Sequence, residues 1–408
     1  MLRLSTRNLT ILAAVAFIAA SGVTDLQVER FSWDTNNLGP ASRSFAIGLV
    51  WVVLAVGGLA GLRRPADRRE TAFMSALGVF FIVAFVASVA AVDSTYSIVA
   101  WLGFGAVAIF VLAVVRHLGV DAALFGVLLG TMIIATASLL RNVTSGGLEA
   151  NGRLAGFSLE PNLMGQLGGL AAVVALTLWM RKSLASQWLA LIAFVALVAA
   201  VQSGTRTTWP ALLAALVALG VRRVPLKFVA SACLAGAAVL GVAGVGVLAS
   251  ETFREQAEDV IDLSGRPGIW EWSLDRSIER PVLGHGIATG RDMIAVAEAQ
   301  GLFSVTSPSS HNLALEIFRE TGILGLAALA AALAAAQPWR DTSSLPLLAF
   351  LAVSGLTMPT GGLAGLVFAS WMVVMAWTLP PIDQHSLISA AGLPGLTSHR
   401  NERADSAL

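Results

Sequence analysis

The 408 residues are 56% hydrophobic and only 12% charged, with a mean hydropathy of +0.77 and a formal net charge of +1. A soluble domain carries about twice that share of charge, so the composition excludes an ordinary soluble globule, while the net charge says nothing about a nucleic-acid partner. The single cysteine, Cys233, excludes an internal disulfide and does not report a compartment.

In chain order, apolar segments fall near 9–24, 45–62, 72–92, 96–115, 122–140, 163–180, 186–202, 208–221, 225–249, 312–336, 344–358 and 361–379. A helix needs about 20 apolar residues to cross a bilayer, so an all-α polytopic membrane protein with about 12 transmembrane helices is expected. The first segment follows Arg3 and Arg7 but leads to no small-x-small cleavage site, so it reads as a retained span rather than a signal peptide. The last two segments are separated only by "MPT" and could form one broken hairpin. Arg63, Arg64, Arg68 and Arg69, then Arg116, then Arg181 and Lys182, then Arg222, Arg223 and Lys227, then Arg340 fall in alternate loops. By the positive-inside rule that side is cytoplasmic, and both termini are expected there. Trp101, Trp179, Trp188, Trp209 and Trp339 stand near span ends, as an interfacial belt would.

Residues 1–379 are expected to form one transmembrane domain, interrupted by a large outer loop at 250–311 between spans nine and ten. Residues 380–408 read as a polar cytoplasmic tail. Within the loop, "SGRPGIWEWSLDRSIERP" predicts a helix with Ser264 as N-cap and Pro267 in its first turn, ending before Pro281. The turn-rich "PVLGHGIATG" follows it.

The residues that could carry chemistry sit on the expected outer face. Arg206 lies in the tight turn "SGTRTTW", Arg266 opens the loop helix, Arg319 lies a turn or two into span ten, and Arg141 and Arg153 flank the loop before "GFSLEPNLMGQ". A guanidinium matches phosphate oxygens through its planar fork; the alternative is that these arginines pair with outer carboxylates or snorkel to headgroups. His311 stands at the outer start of span ten and His285 in the glycine-rich turn. A neutral imidazole there would serve as a base, or it would simply hydrogen-bond at the helix start, with Ser310 as the cap. Glu316 and Glu320 are four apart, with Arg319 beside both, and a structural Glu–Arg clamp is the expected role of the three. The sequence has no HExxH, no DxD, no Cys–His cluster and no P-loop, so no metal or other cofactor is expected.

"SSHNLALEIFRETGILGL" resembles the histidine signature of the bacterial O-antigen ligase and polymerase superfamily. "SGRPGIWEWSLDRSIERPVLGHG" is similar to that family's segment just upstream, "QSGTRTTWPALLAAL" to its arginine turn, and "GFSLEPNLMGQLGG" to its Phe-x-x-x-Asn span start. The four segments come in the family's order. The resemblance implies a GT-C-like membrane glycosyltransferase of the inner membrane with its active site facing the periplasm. It implies transfer of a glycan from undecaprenyl pyrophosphate to an acceptor hydroxyl, on lipid A-core for a ligase or on another lipid-linked repeat for a polymerase. Residue by residue it implies that Arg206 and Arg266 hold the pyrophosphate and His311 activates the acceptor, without metal and with inversion. Arg319, Arg153, Asn162, Trp270 and Trp272 are candidate substrate contacts, the two tryptophans because the chain has a single tyrosine. The implied partners are the lipid-linked donor, the glycan acceptor and membrane lipid, with no nucleic acid. A lipid or polysaccharide transporter is the reading from another class; it calls for charges at broken helices in mid-span, and the span centres are nearly free of charge.

Overall fold

The computed structural model describes residues 68–145, 154, 161–183, 185–220, 266–301, 312–357 and 366–379. Among the described residues the fold is all-helical. The helices are α1 (Arg68–Val89), α2 (Ser94–Leu118), α3 (Val120–Ser145), α4 (Pro161–Met180), α5 (Ser186–Gln202), α6 (Thr208–Gly220), α7 (Arg266–Glu279), α8 (Thr289–Ala299), α9 (Leu313–Ala336), α10 (Leu345–Thr357) and α11 (Leu366–Ala376), with a 3-10 turn at Pro338–Arg340 before α10. Among the described residues five helices are long and apolar enough to cross a membrane: Arg68–Val89, Ser94–Leu118, Val120–Asn142, Pro161–Met180 and Leu313–Arg340. The shorter apolar helices α5, α6, α10 and α11 stand where spans were expected. The predicted segments 9–24, 45–62 and 225–249 lie outside the described residues.

Pairs of antiparallel neighbours build the bundle: α1 packs along α9, α4 along α5, and α6 along α10, while α11 closes against α2 and α3. The buried core joins Val111 and Leu112 of α2, Leu124 and Val127 of α3, Leu170 and Val174 of α4, Phe350 of α10 and Met372 of α11. Small residues bring the backbones together, as in lipid, where close packing replaces the hydrophobic drive between helices. Gly168 lies on the α5 backbone at Ala196 and Ala200, and Gly169 against Thr208 and Phe350. Leu191, Phe194, Leu213 and Val217 point outward and are exposed, as lipid-facing side chains are. Hydroxyls inside the helices satisfy themselves on the preceding turn: Ser88 on the Ala84 carbonyl at 2.7 Å, Thr177 on Val173 at 2.8 Å.

One end of the bundle gathers the basic loop residues. Arg116 pairs with Glu70, both buried. Arg69 donates to the carbonyls of Ala335 and Ala336 at the end of α9. Arg181 pairs with Asp121, lies 3.6 Å from the Asp341 carboxylate and stacks on Trp377 at 5.4 Å. The opposite end carries the α1–α2 turn, the turn between α5 and α6, α7, α8 and the start of α9. Of the expected basic loops, Arg63, Arg64, Arg222, Arg223 and Lys227 lie outside the described residues.

Candidate functional site

Helix α9 begins with Asn312, whose side chain accepts the Leu315 amide at 3.1 Å. Asn312, not the expected Ser310, is the N-cap, and a short carboxamide is among the best groups for that position. His311 lies outside the described residues; in sequence it immediately precedes this cap.

Ten residues in, α9 breaks. Gly322 has φ 64° and ψ −169°, a region open essentially only to glycine. A break inside a membrane helix frees backbone groups that hydrocarbon cannot satisfy. The segment after α7 satisfies them: Ile323 donates to the Pro281 carbonyl (2.8 Å) and Leu324 to Val282 (3.4 Å), while His285 donates to Arg319 (2.9 Å) and Gly286 to Glu320 (2.9 Å). Gly284 lies directly on the Glu320–Thr321 peptide and Gly322 on Val282, with no room for a β-carbon at either. The Pro-x-x-Gly-x-Gly stretch and the Glu-x-Gly stretch of the sequence are thus two halves of one joint. The same loop is tied to the first two helices, Ser97 donating to the Ile287 carbonyl at 2.8 Å.

Glu316, Arg319 and Glu320 are all buried at this joint, Arg319 at 1% exposure. The Arg319 guanidinium donates to the Ser273 hydroxyl of α7 at 3.1 Å, and Gly290 packs on it so closely that no side chain would fit there. Glu320 feels the Arg319 and Glu316 charges and accepts amide hydrogens from Ala288 and Gly290. Of the expected clamp the structure shows the links to other elements, Arg319 to Ser273 and Glu320 to the backbone at Ala288 and Gly290. These links hold the outer loop onto α9 through α7 and α8. His285 is buried as well, its Nε2 2.8 Å from the Arg276 carbonyl.

A second group braces Arg206. Ser203 donates to the Thr205 hydroxyl (2.9 Å), which donates to the Pro161 carbonyl at the start of α4 (2.8 Å). Gly165 receives Thr205 and Ser203 so closely that a β-carbon would collide with both. The turn carrying half-exposed Arg206 is therefore fixed to the turn of α4 that begins beside Asn162. The two sequence stretches that contain these residues meet at one place. Gln166, one turn further along α4, is buried at 1% exposure with neither amide atom hydrogen-bonded; an apolar flank on both sides hid it in the sequence.

Arg266 is the first residue of α7, as the sequence predicted, and α7 ends at Glu279, ahead of Pro281. Trp270 and Trp272 are half-buried on this helix. Arg153 lies outside the described residues. The Arg206 turn is thus joined through Thr205 to the start of α4 beside Asn162, while the start of α7 and the α9 joint are linked through Ser273 and Arg319.

Compared with curated proteins, the chain has no match. Residues 189–330, from α5 through the break in α9, match the family model Wzy_C, O-antigen ligase. The matched segment contains the Arg206 turn, Arg266 and His311, and ends beyond the glycine joint. That stretch of this polytopic helical membrane protein, about a third of the chain, is thus similar to the O-antigen ligase family.

Proposed function

We propose that this protein transfers a glycan from an undecaprenyl-pyrophosphate-linked donor to an acceptor hydroxyl at the periplasmic face of the inner membrane. The observation that carries the reading is the coincidence of the family match with one end of the bundle, where Arg206, the start of α7 at Arg266 and the start of α9 after His311 all lie. In this reading the acceptor oxygen attacks the anomeric carbon and the bond to the lipid pyrophosphate breaks with inversion. His311 takes the acceptor proton. Arg206 and Arg266 balance the charge that grows on the departing pyrophosphate, the kind of preorganised electrostatic term that often dominates catalysis. The pyrophosphate needs no proton to leave, and the step needs no nucleotide.

Two further features support the reading. A wholly apolar cavity of about 230 Å³ opens between α1, α2, α9 and α11, lined by Phe80, Phe104, Ile287, Leu313, Ile317 and Met375. It offers room for part of a prenyl chain beside the start of α9. The break and buried charges of α9 are features that a transporter would also show, but here Arg319 bonds Ser273 of α7 and Glu320 the backbone at Ala288 and Gly290, so they serve to join the chain segments.

Purified protein incubated with synthetic undecaprenyl-pyrophosphate oligosaccharide and a lipid A-core acceptor should release undecaprenyl pyrophosphate and give a glycosylated acceptor by mass spectrometry. Elongated lipid-linked glycan without any modified core would make the protein a polymerase with the same chemistry. Neither product would remove the transferase reading.

A further inference from the structure

We infer that the outer loop holds a saccharide in a cavity of its own, lined by Asp93, Trp272, Arg276, His285, Thr289 and Gln300. The inference rests on the transferase reading and assigns that reading a sugar-binding site apart from the reacting groups. The cavity measures about 380 Å³, within the ~300–1,000 Å³ of typical small-ligand pockets. Its walls come from four places in the chain: the α1–α2 turn, one face of α7, the turn before α8, and one face of α8. Trp272 and Arg276 are four apart and share a helical face, as do Met293, Val296 and Ala297 of α8, with Gln300 just past its end.

The walls are built rather than incidental. Asp93 caps α2, accepting the Tyr96 amide at 2.9 Å. His285 is held by the Arg276 carbonyl at 2.8 Å, and Thr289 donates to the Gly286 carbonyl at 2.7 Å. The backbone of His285 and Gly286 is fixed to the broken turn of α9. A binding surface so held pays little ordering cost when a ligand enters.

The chemistry of the lining selects the class of ligand. The Trp272 indole, which Arg276 overlies at 5.8 Å from the ring centre, an aliphatic floor at Met293 and Ala297, and donors and acceptors at the rim suit a ring with apolar C–H faces and equatorial hydroxyls. The charged side chains on the walls, Asp93 and Arg276, are one of each sign, and Arg276 already bonds Glu279 at 2.6 Å. A phosphate or a lipid headgroup phosphate would meet a carboxylate and an arginine whose charge is shared. An uncharged saccharide meets neither difficulty.

The test uses the full-length protein in detergent and, as probe, water-soluble fragments of the source organism's own surface polysaccharide released by mild acid. Saturation-transfer NMR and calorimetry should show binding to the wild type. Trp272→Ala and Gln300→Ala should each weaken it by about tenfold, Met293→Trp should block the cavity, and Trp272→Phe should keep most of the affinity. Inorganic phosphate should not compete. Equal binding by wild type, Trp272→Ala and Met293→Trp, displacement by phosphate, or no binding by the wild type would each overturn the proposal. The transferase reading is judged apart from it by donor turnover: wild-type protein that releases undecaprenyl pyrophosphate yet ignores the fragments loses only the cavity, and protein that binds fragments but never turns over donor loses only the transfer.

Discussion

The amide of His285 donates to the carbonyl of Arg319 at 2.9 Å, one of four backbone bonds that replace the helical ladder where α9 breaks at Gly322. The joint depends on backbones that touch. Gly322 and Gly284 both have positive φ and both press on a facing peptide.

Gly322→Ala and Gly284→Ala are therefore expected to destabilise the protein by at least about 1–3 kcal/mol from backbone strain, before the steric contact is counted. Gly268, inside α7 with open space around it, is the control. Gly268→Ala should leave stability unchanged or raise it by up to roughly 1 kcal/mol, since alanine is the better helix former. Thermal midpoints in detergent compare the three. Equal behaviour of Gly322→Ala and Gly268→Ala would mean that α9 runs straight in solution.

Much of this was readable from the sequence, and the limit has a physical form. Hydropathy and basic loops are local quantities, so α1 to α6 and α9 to α11 stand where apolar runs and charge alternation put them. The helix Arg266–Glu279 was legible because Pro267 and Pro281 mark its ends. The break in α9 was not, because a glycine inside an apolar helical run is ordinarily tolerated and its partner segment, Pro281–Gly286, lies some forty residues earlier. That Glu316, Arg319 and Glu320 share one face of α9 followed from i, i+3 and i+4 spacing. That Arg319 bonds Ser273 and packs under Gly290 required the fold. Arg206 was legible as an arginine out of place, whereas its bracing by Thr205 on Pro161 joins stretches that nothing local connects.

Arg319 separates two roles. Buried among Glu316, Glu320 and Ser273, it balances charge inside the joint, and removing it leaves carboxylates buried without compensation. Arg319→Ala should cost about 3–5 kcal/mol, seen as loss of folded yield and a large drop in thermal midpoint. Ser273→Ala should cost about 1 kcal/mol, the net worth of one hydrogen bond. A stable Arg319→Ala protein with selectively weakened donor use would instead make Arg319 a substrate contact.

Asp341 gives a pH dependence at the other end of the bundle. Burial raises its carboxyl, but the hydroxyl and amide of Ser343, the Trp377 indole and the Arg181 guanidinium outweigh burial and hold it below the usual carboxylate range. A depressed folded value stabilises the protein above the unfolded value of about 3.9, and that contribution disappears as pH falls through the folded value. Asp341→Asn should therefore lower the thermal midpoint at pH 6–7, by the equivalent of about 1 kcal/mol or less for a half-exposed group. The difference from wild type should vanish in strong acid. A difference that persists unchanged to the lowest accessible pH would show that the effect comes from lost packing rather than charge.

The transfer chemistry makes the sharpest demand. Arg206→Lys keeps a charge but loses the planar fork, so donor use should weaken by about 1–3 kcal/mol with normal folding, because the turn is held by Ser203 and Thr205 rather than by Arg206. Arg266→Lys, on the first residue of α7, should behave alike. His311→Ala should lose about 10²–10⁴-fold in rate, the usual worth of a general base, while donor binding survives, because the start of α9 is capped by Asn312 and not by His311. The rate should rise with pH through the ordinary histidine range near 6.5 and flatten above it, since only neutral imidazole accepts a proton. His311→Gln retains a hydrogen-bonding side chain but cannot act as a base, so it should fail as badly as His311→Ala. Near-normal turnover by His311→Gln with the same pH profile would show that His311 only orients the entry to α9. The base would then have to be Glu316, buried one turn further along that helix, or His285, whose Nδ1 is the acceptor nitrogen when Nε2 donates to the Arg276 carbonyl.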